Sequence, residues 1–405
     1  MPAKSGHNRR VVSGMRPTGQ LHLGNYHGAL ANWVELQYRY ECFFFVADWH
    51  ALTTAYENTA DIKANSTEVI IDWLAAGLNP SACTIFVQSR IPEHAELHLI
   101  LSMVTPVSWL ERVPSYKDQI EQLKDKDLGT YGFLGYPLLQ SADILMYRPE
   151  FVPVGEDQAA HVEITREIAR RFNNIYGREA DFEARVESAV KRLGARNGAQ
   201  YAELRRQFQE QGDADALARA RAMVESAARL TVADRERLLG YLEGGGRTIL
   251  PEPAVLLTRT PRVPGLDGRK MSKSYGNTIG LREDPASVQK KLRAMQTDPA
   301  RVRRSDPGDP DKCPVWDLHK IYSSEETKAW VQTGCRTAGI GCLDCKKPLI
   351  ESVLKELEVI RQRAREYEEN PELVRGIVTE GCERARDAAR ATMAEVREAV
   401  RLEYR

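Results

Sequence analysis

The chain is 405 residues long, and its 57 Lys and Arg offset 57 Asp and Glu, so any polyanionic partner must be held by a local basic surface rather than by overall charge. No apolar run nears the roughly 20 residues that cross a bilayer, and Met1 to Arg10 lack the apolar stretch of a secretory signal, so a helical membrane protein is excluded and a cytoplasmic one is expected. The length predicts two or three domains.

Taken in chain order, the segment from Val11 reads as a short strand, then a Gly/Pro turn (Gly14 to Gly19) and a helix from about Gly24. The apolar runs Cys42 to Ala47 and Thr84 to Gln88 fit buried parallel strands, separated by a helical stretch from Thr59 to Ala76. Phe151 to Val154 is a further strand, followed by an amphipathic helix from Gln158 to Asn173, which puts Gly155, Glu156 and Asp157 on a strand-to-helix turn. This grammar predicts an α/β fold with a Rossmann-like, doubly wound parallel sheet. From 178 to 247 the composition shifts to Arg, Glu and Ala at helical spacing, read as an inserted, solvated helical pair. A Pro/Gly loop (Pro261 to Gly268) and a polar run (Arg269 to Asn277) come next, and helical sequence fills the rest from Lys346. The expected division is 1–177 and 248–285 for the sheet domain, 178–247 for the insertion and 286–405 for a C-terminal all-helical domain.

Two segments carry phosphate chemistry. In Thr18-Gly19-Gln20-Leu21-His22-Leu23-Gly24-Asn25, glycine lets a nucleotide approach the backbone, the helix start favours phosphate, and His22 can donate a hydrogen bond to developing charge. Alone, the octapeptide reads equally well as a glycine turn with a surface histidine. Downstream, Lys270-Met271-Ser272-Lys273-Ser274 places two ammonium groups behind a Pro/Gly loop, able to follow the charge of a departing pyrophosphate; an ordinary solvated basic loop is the plainer alternative.

Together, and in this order, the two segments resemble the HIGH and KMSKS signatures of class I aminoacyl-tRNA synthetases, with Asn25 where many of those enzymes carry a second histidine. Ser13 to Gly19, Tyr136 to Tyr147 and Val152 to Gln158 narrow the likeness to bacterial-type tryptophanyl-tRNA synthetases, over nearly the whole chain apart from the insertion. That resemblance implies ATP-dependent activation of L-tryptophan as an adenylate, assisted by Mg2+, transfer to tRNA(Trp), and a homodimer. It implies catalytic roles for His22, Lys270 and Lys273. ATP contacts would come from Arg16, Pro17, Thr18, Gly24, Asn25, Gly155, Glu156, Asp157 and Val263, and from Lys270, Met271, Ser272, Lys273 and Ser274.

Tryptophan has a large apolar face and one polar handle, so its pocket needs a single acceptor in an apolar wall. By resemblance Asp143 is that acceptor, although without the neighbouring motifs a helix cap is the preferred reading. Tyr136 and Gln158 would hold the substrate amino group, His50 lies after the strand ending at Ala47, and Gln140 and Ser115 make the wall more polar than in the most familiar branch. Three rivals remain at this stage: a tyrosyl-tRNA synthetase, a small-molecule nucleotidylyltransferase and a non-catalytic, metal-bearing RNA-binding relative.

Seven cysteines are present, and Cys313, Cys335, Cys342 and Cys345 crowd together with a closing Cys-x-x-Cys. The pattern suits metal ligation better than a disulfide framework, and four thiolates admit either zinc or an iron–sulfur cluster, zinc being the more frequent. The flanking segments, Asp298 to Pro314 and Gly341 to Lys347, resemble a branch of the family whose C-terminal domain carries a [4Fe–4S] cluster. That places the cluster ahead of zinc, with Arg303, Arg304, Lys346 and Lys347 expected on a tRNA-facing surface. Cys42, Cys83 and Cys382 are expected to be buried structural thiols.

Overall fold

The computed structural model describes residues 9–113, 116, 129–155, 158–177, 181–211, 213–242, 245–257 and 263–403. Five strands, β1 (Arg10–Met15), β2 (Glu41–Val46), β3 (Thr84–Val87), β4 (Phe151–Val154) and β5 (Ala254–Leu257), form one sheet in the order β3-β2-β1-β4-β5. The β1–β2 and β2–β3 pairs are parallel, with Val12 opposite Phe43 and Phe44 opposite Ile85. Because strand order reverses at β1, the switch point that binds ligands in doubly wound sheets falls beside the loop leaving β1. The first four strands match the apolar runs of the sequence; β5 was not anticipated.

Among the described residues the helices include, in chain order, α1 (Leu23–Asn25), α2 (Ala31–Leu36), α3 (Asp48–Ala55), α4 (Ile62–Ala76), α5 (Glu93–Ser102), α6 (Tyr136–Met146), α7 (Ala159–Tyr176) and α8 (Phe182–Arg192). They continue as α9 (Ala195–Gln211), α10 (Ala214–Ser226), α11 (Val232–Leu242), α12 (Pro285–Ala294), α13 (Pro314–Tyr322), α14 (Glu325–Arg336), α15 (Cys342–Glu369) and α16 (Pro371–Val400). A π-helical turn, Tyr26–Leu30, joins α1 to α2, a wider winding that often marks functional segments.

The chain forms two compact units, one of residues 1–90, 153–157 and 256–385, the other of 91–152, 158–255 and 386–405. In the first, Trp33 on α2 stacks on Phe44 of β2 at 4.6 Å and meets Trp73 of α4 edge-on at 5.3 Å, which seals the sheet's helical cover. In the second, α6 packs between α5 and α7.

The insertion is a correction to the sequence reading. It is not a solvated pair but four helices, α8 to α11, around a core of its own that includes Val186, Ala189, Tyr201, Leu204, Ala216, Ala220, Val224 and Leu238. Tyr201 is buried there and donates to the Leu238 carbonyl at 2.6 Å. Among the described residues no helix is long and apolar enough to cross a membrane.

Candidate active site

The loop leaving β1 is shaped by its glycines. Gly19 has φ +94°, a left-handed conformation that disfavours any side chain. A Cβ on Gly24 would stand 3.0 Å from the His22 ring and 3.3 Å from Met271 Cβ, so a side chain there would crowd both motifs where they meet. Asn25 Oδ1 accepts the His22 backbone N–H at 3.2 Å. Arg16 donates to the Thr54 hydroxyl, Pro17 is buried and Thr18 is exposed.

The lysine loop docks directly on this turn. Lys273 Nζ donates to the Thr18 carbonyl at 2.8 Å, and both line a cleft with Gly19, Gln20, His22 and Glu283. Backbone pairing fixes the approach: His22 bridges Gly280, Leu23 N–H donates to Ile279 O at 3.0 Å, and Leu281 N–H donates to Leu21 O at 2.9 Å. Asn277, which the sequence reading passed over, staples the loop from inside. Its Oδ1 accepts from Ser272 N–H at 2.8 Å and its Nδ2 donates to Asp267 at 2.7 Å and to the Lys270 carbonyl at 3.2 Å. Lys270 and Ser274 are exposed, while Met271 and Val263 are buried and joined by a backbone hydrogen bond. Gly155 follows β4; Glu156, Asp157 and Ser115 lie outside the described residues.

Beneath both loops sits Asp72 of α4, fully buried. One oxygen accepts Leu21 N–H at 2.6 Å and the other accepts Arg282 Nε at 2.6 Å, while Arg282 also donates to Glu68 and Glu368. Burial pushes Asp72 up to about 6, against the pull of Arg282. Burial, helped by the Lys273 ammonium, pushes His22 down to about 4, so at neutral pH it is an uncharged donor. Lys273 is drawn below its usual range by burial, and the charge of Asp72 opposes that.

In the second unit, Tyr136, Gln140 and Asp143 recur along α6 at the spacing of one helix face. Asp143 is mid-helix and fully buried, which corrects the alternative of a helix cap. Its Oδ1 lies 2.6 Å from His94 Nδ1, and His94 Nε2 lies 2.7 Å from the Tyr147 hydroxyl. Gln140 Oε1 meets His161 Nδ1 on α7, and the His161 ring lies 6.0 Å from that of Tyr136. Gln158 stands at the N-cap position of the same helix. Sequence reasoning missed His94 and His161, whose one signal was an imidazole set in an otherwise apolar helical face. His50, of the first unit, is buried in the first turns of α3.

The four clustered cysteines share one neighbourhood. Burial pushes the Cys345 thiol up to about 12, and the proximity of Cys313, Cys335 and Cys342 pushes the same way. Arg301 Nη1 lies 3.8 Å from Cys335 Sγ and His319 Nε2 lies 3.4 Å from Cys345 Sγ. Among the described residues, no three His, Cys, Asp or Glu side chains are grouped so as to hold a metal ion. As a donor set, four thiols with a guanidinium alongside fit a soft, anionic group. Lys346 needs correction: it is buried and donates to the carbonyls of Arg293, at 2.8 Å, and Met295, while Arg303, Arg304 and Lys347 are exposed. Cys42, Cys83 and Cys382 are buried as expected.

Comparison with known proteins agrees with this geometry. The family described as tRNA synthetases class I (W and Y) matches residues 4–194 and 225–358. Tryptophan–tRNA ligase of Ralstonia nicotianae is 62% identical over 98% of this chain and 99% of its own, and that of Thermotoga maritima is 43% identical over 98% and 100%. The solved tryptophanyl-tRNA synthetase of Campylobacter jejuni, complexed with ADP and tryptophan, superposes with a TM-score of 0.72 at 28% identity, covering 96% of this chain and 99% of that one. With both signature loops folded onto one cleft and full-length relatives of a single specificity, the chain belongs to the tryptophanyl branch of the class I tRNA synthetases.

Proposed function

We propose that this ligase activates L-tryptophan with MgATP and passes it to tRNA(Trp), using the His22 turn and the lysine loop on the phosphates and Asp143 on the indole. The observation that carries the reading is Lys273 Nζ on the Thr18 carbonyl, which brings an ammonium group to the glycine turn. The tryptophan carboxylate attacks the α-phosphate in line, the bond to pyrophosphate breaks, and the acyl group then moves to the terminal adenosine of the tRNA. No protein nucleophile is needed. Neutral His22 donates to the α-phosphate oxygens, and Lys270 and Lys273 follow the charge that builds on the pyrophosphate. Arg16, Pro17, Thr18, Gly24, Asn25, Gly155, Glu156, Asp157, Val263, Met271, Ser272 and Ser274 complete the ATP site in this reading. Tyr136, Gln140, Gln158 and His50 complete the site for the amino acid. Pyrophosphate exchange with a panel of amino acids is expected to proceed with tryptophan alone; exchange driven by tyrosine would overturn the assignment in favour of the tyrosyl rival.

Residues 286–405 are proposed to read the anticodon, with Arg303, Arg304 and Lys347 supplying exposed charge, in a cytoplasmic homodimer. Cys313, Cys335, Cys342 and Cys345 are proposed to hold a [4Fe–4S] cluster, zinc being the alternative. When bound, the group supplies a cross-link between the segment entering α13, the end of α14 and the start of α15, and aminoacylation draws no electron from it. Protein purified without oxygen is expected to carry about four iron and four sulfide per chain, lost in Cys345→Ser. One zinc per chain and no iron would refute the cluster.

A further inference from the structure

We infer that His94 and Tyr147 form a polarised relay that sets amino-acid specificity, by holding the Asp143 carboxylate as an oriented acceptor for an indole N–H. The inference rests on Asp143 meeting the indole, as proposed above. All three side chains are fully buried, and the two contacts are 2.6 Å and 2.7 Å long. At these distances the proton assignment follows from chemistry. A carboxylate only accepts, so His94 Nδ1 must donate to it. With a single proton on the imidazole, held on Nδ1 by the carboxylate, Nε2 is an acceptor and the Tyr147 hydroxyl donates to it. Each proton in the chain thus points toward Asp143, whose surroundings hold it as an acceptor on the face of α6 that also carries Tyr136 and Gln140.

The consequence is a specificity device and not only a buried network. A ligand with an N–H completes the acceptor, whereas an isosteric ligand without one leaves a buried carboxylate short of a donor, a loss larger than that of an ordinary apolar mismatch. Without the Tyr147 hydroxyl, the imidazole is free to place its proton on Nε2 instead. Nδ1 would then face the carboxylate as a second acceptor, and Asp143 would turn away or take up a proton. His94 and Tyr147 are therefore positioning residues that act through Asp143.

The test compares pyrophosphate exchange driven by tryptophan and by β-(3-benzothienyl)alanine, the sulfur analogue without the N–H. The ratio of the two kcat/KM values is expected to fall at least about tenfold in Tyr147→Phe and in His94→Leu, with the KM for ATP unchanged. His94→Asn, whose amide restores a donor near the Nδ1 position, is expected to recover part of it. Tyr147→Phe changes little in shape and carries the test if His94→Leu fails to fold. Asp143→Ala, which removes the acceptor, separates the two levels. A collapsed ratio in Asp143→Ala with an unchanged ratio in both relay variants overturns the relay alone, and an unchanged ratio in Asp143→Ala overturns the indole assignment with everything built on it.

Discussion

Lys273→Ala is expected to slow tryptophan-dependent pyrophosphate exchange by about 10²- to 10³-fold, the scale on which removing one preorganised charge-stabilising donor acts, while tryptophan binding stays as it was. The expectation comes from where the ammonium sits. It reaches the Thr18 carbonyl across the cleft that His22 and Gly19 also line, so it is already placed where a triphosphate would lie. Burial makes that charge costly, and Asp72 is the anion that offsets the cost. A cation held half out of water binds developing negative charge more strongly than a solvated one, which favours the transition state over bound ATP. Lys273→Arg should recover a fraction of the rate, because the charge returns with a different shape. Exchange at the wild-type rate in Lys273→Ala would remove this lysine from the mechanism.

The loops around that lysine were legible in the sequence because each has a local signature. Gly19 and Gly24 are demanded by a positive φ and a close approach, and the lysine pair stands behind a Pro/Gly segment. The first four strands were legible for a similar reason: strands covered on both faces read as unbroken apolar runs, as Cys42 to Val46 does. By contrast, β5 is four residues long and none of them is buried, so neither alternation nor a run gives it away. The insertion misled because its core is built partly from alanines, such as Ala216 and Ala220, hidden among arginines and glutamates. Lys346 misled because lysine is nearly always solvated, whereas here its ammonium satisfies carbonyl groups at the end of α12. His94 was invisible for a deeper reason. Its partners Asp143 and Tyr147 lie about fifty residues away, and a pairing made by tertiary packing leaves no spacing to read.

Arg282 was equally invisible, and its loss is expected to be the most damaging to the first unit. Arg282→Ala should cost about 3–5 kcal/mol, measured as a lower midpoint of denaturant unfolding, because it strands the fully buried Asp72 carboxylate. The same carboxylate accepts Leu21 N–H, one residue before His22, so Arg282 and Asp72 together tie the glycine turn to the segment that follows the lysine loop. Replacing both at once, as in Asp72→Asn with Arg282→Gln, should cost much less than Arg282→Ala, since no unpaired charge is left behind. The pH dependence follows from the same pair. Asp72 is raised above its ordinary value to about 6, so acid protonates it in the folded protein before it would in the unfolded one. Its linkage contribution to stability is therefore present at low pH and lost as pH rises through about 6; acid does not unfold the protein through this group. What acid removes is the charge that holds Arg282 and offsets Lys273. The KM for ATP is accordingly expected to rise as pH falls from 7 through 6, and in Asp72→Asn to be raised already at pH 7 and flat across that range. A wild-type KM that stays constant between pH 7 and 5.5 would show that the pair does not hold the nucleotide loops together.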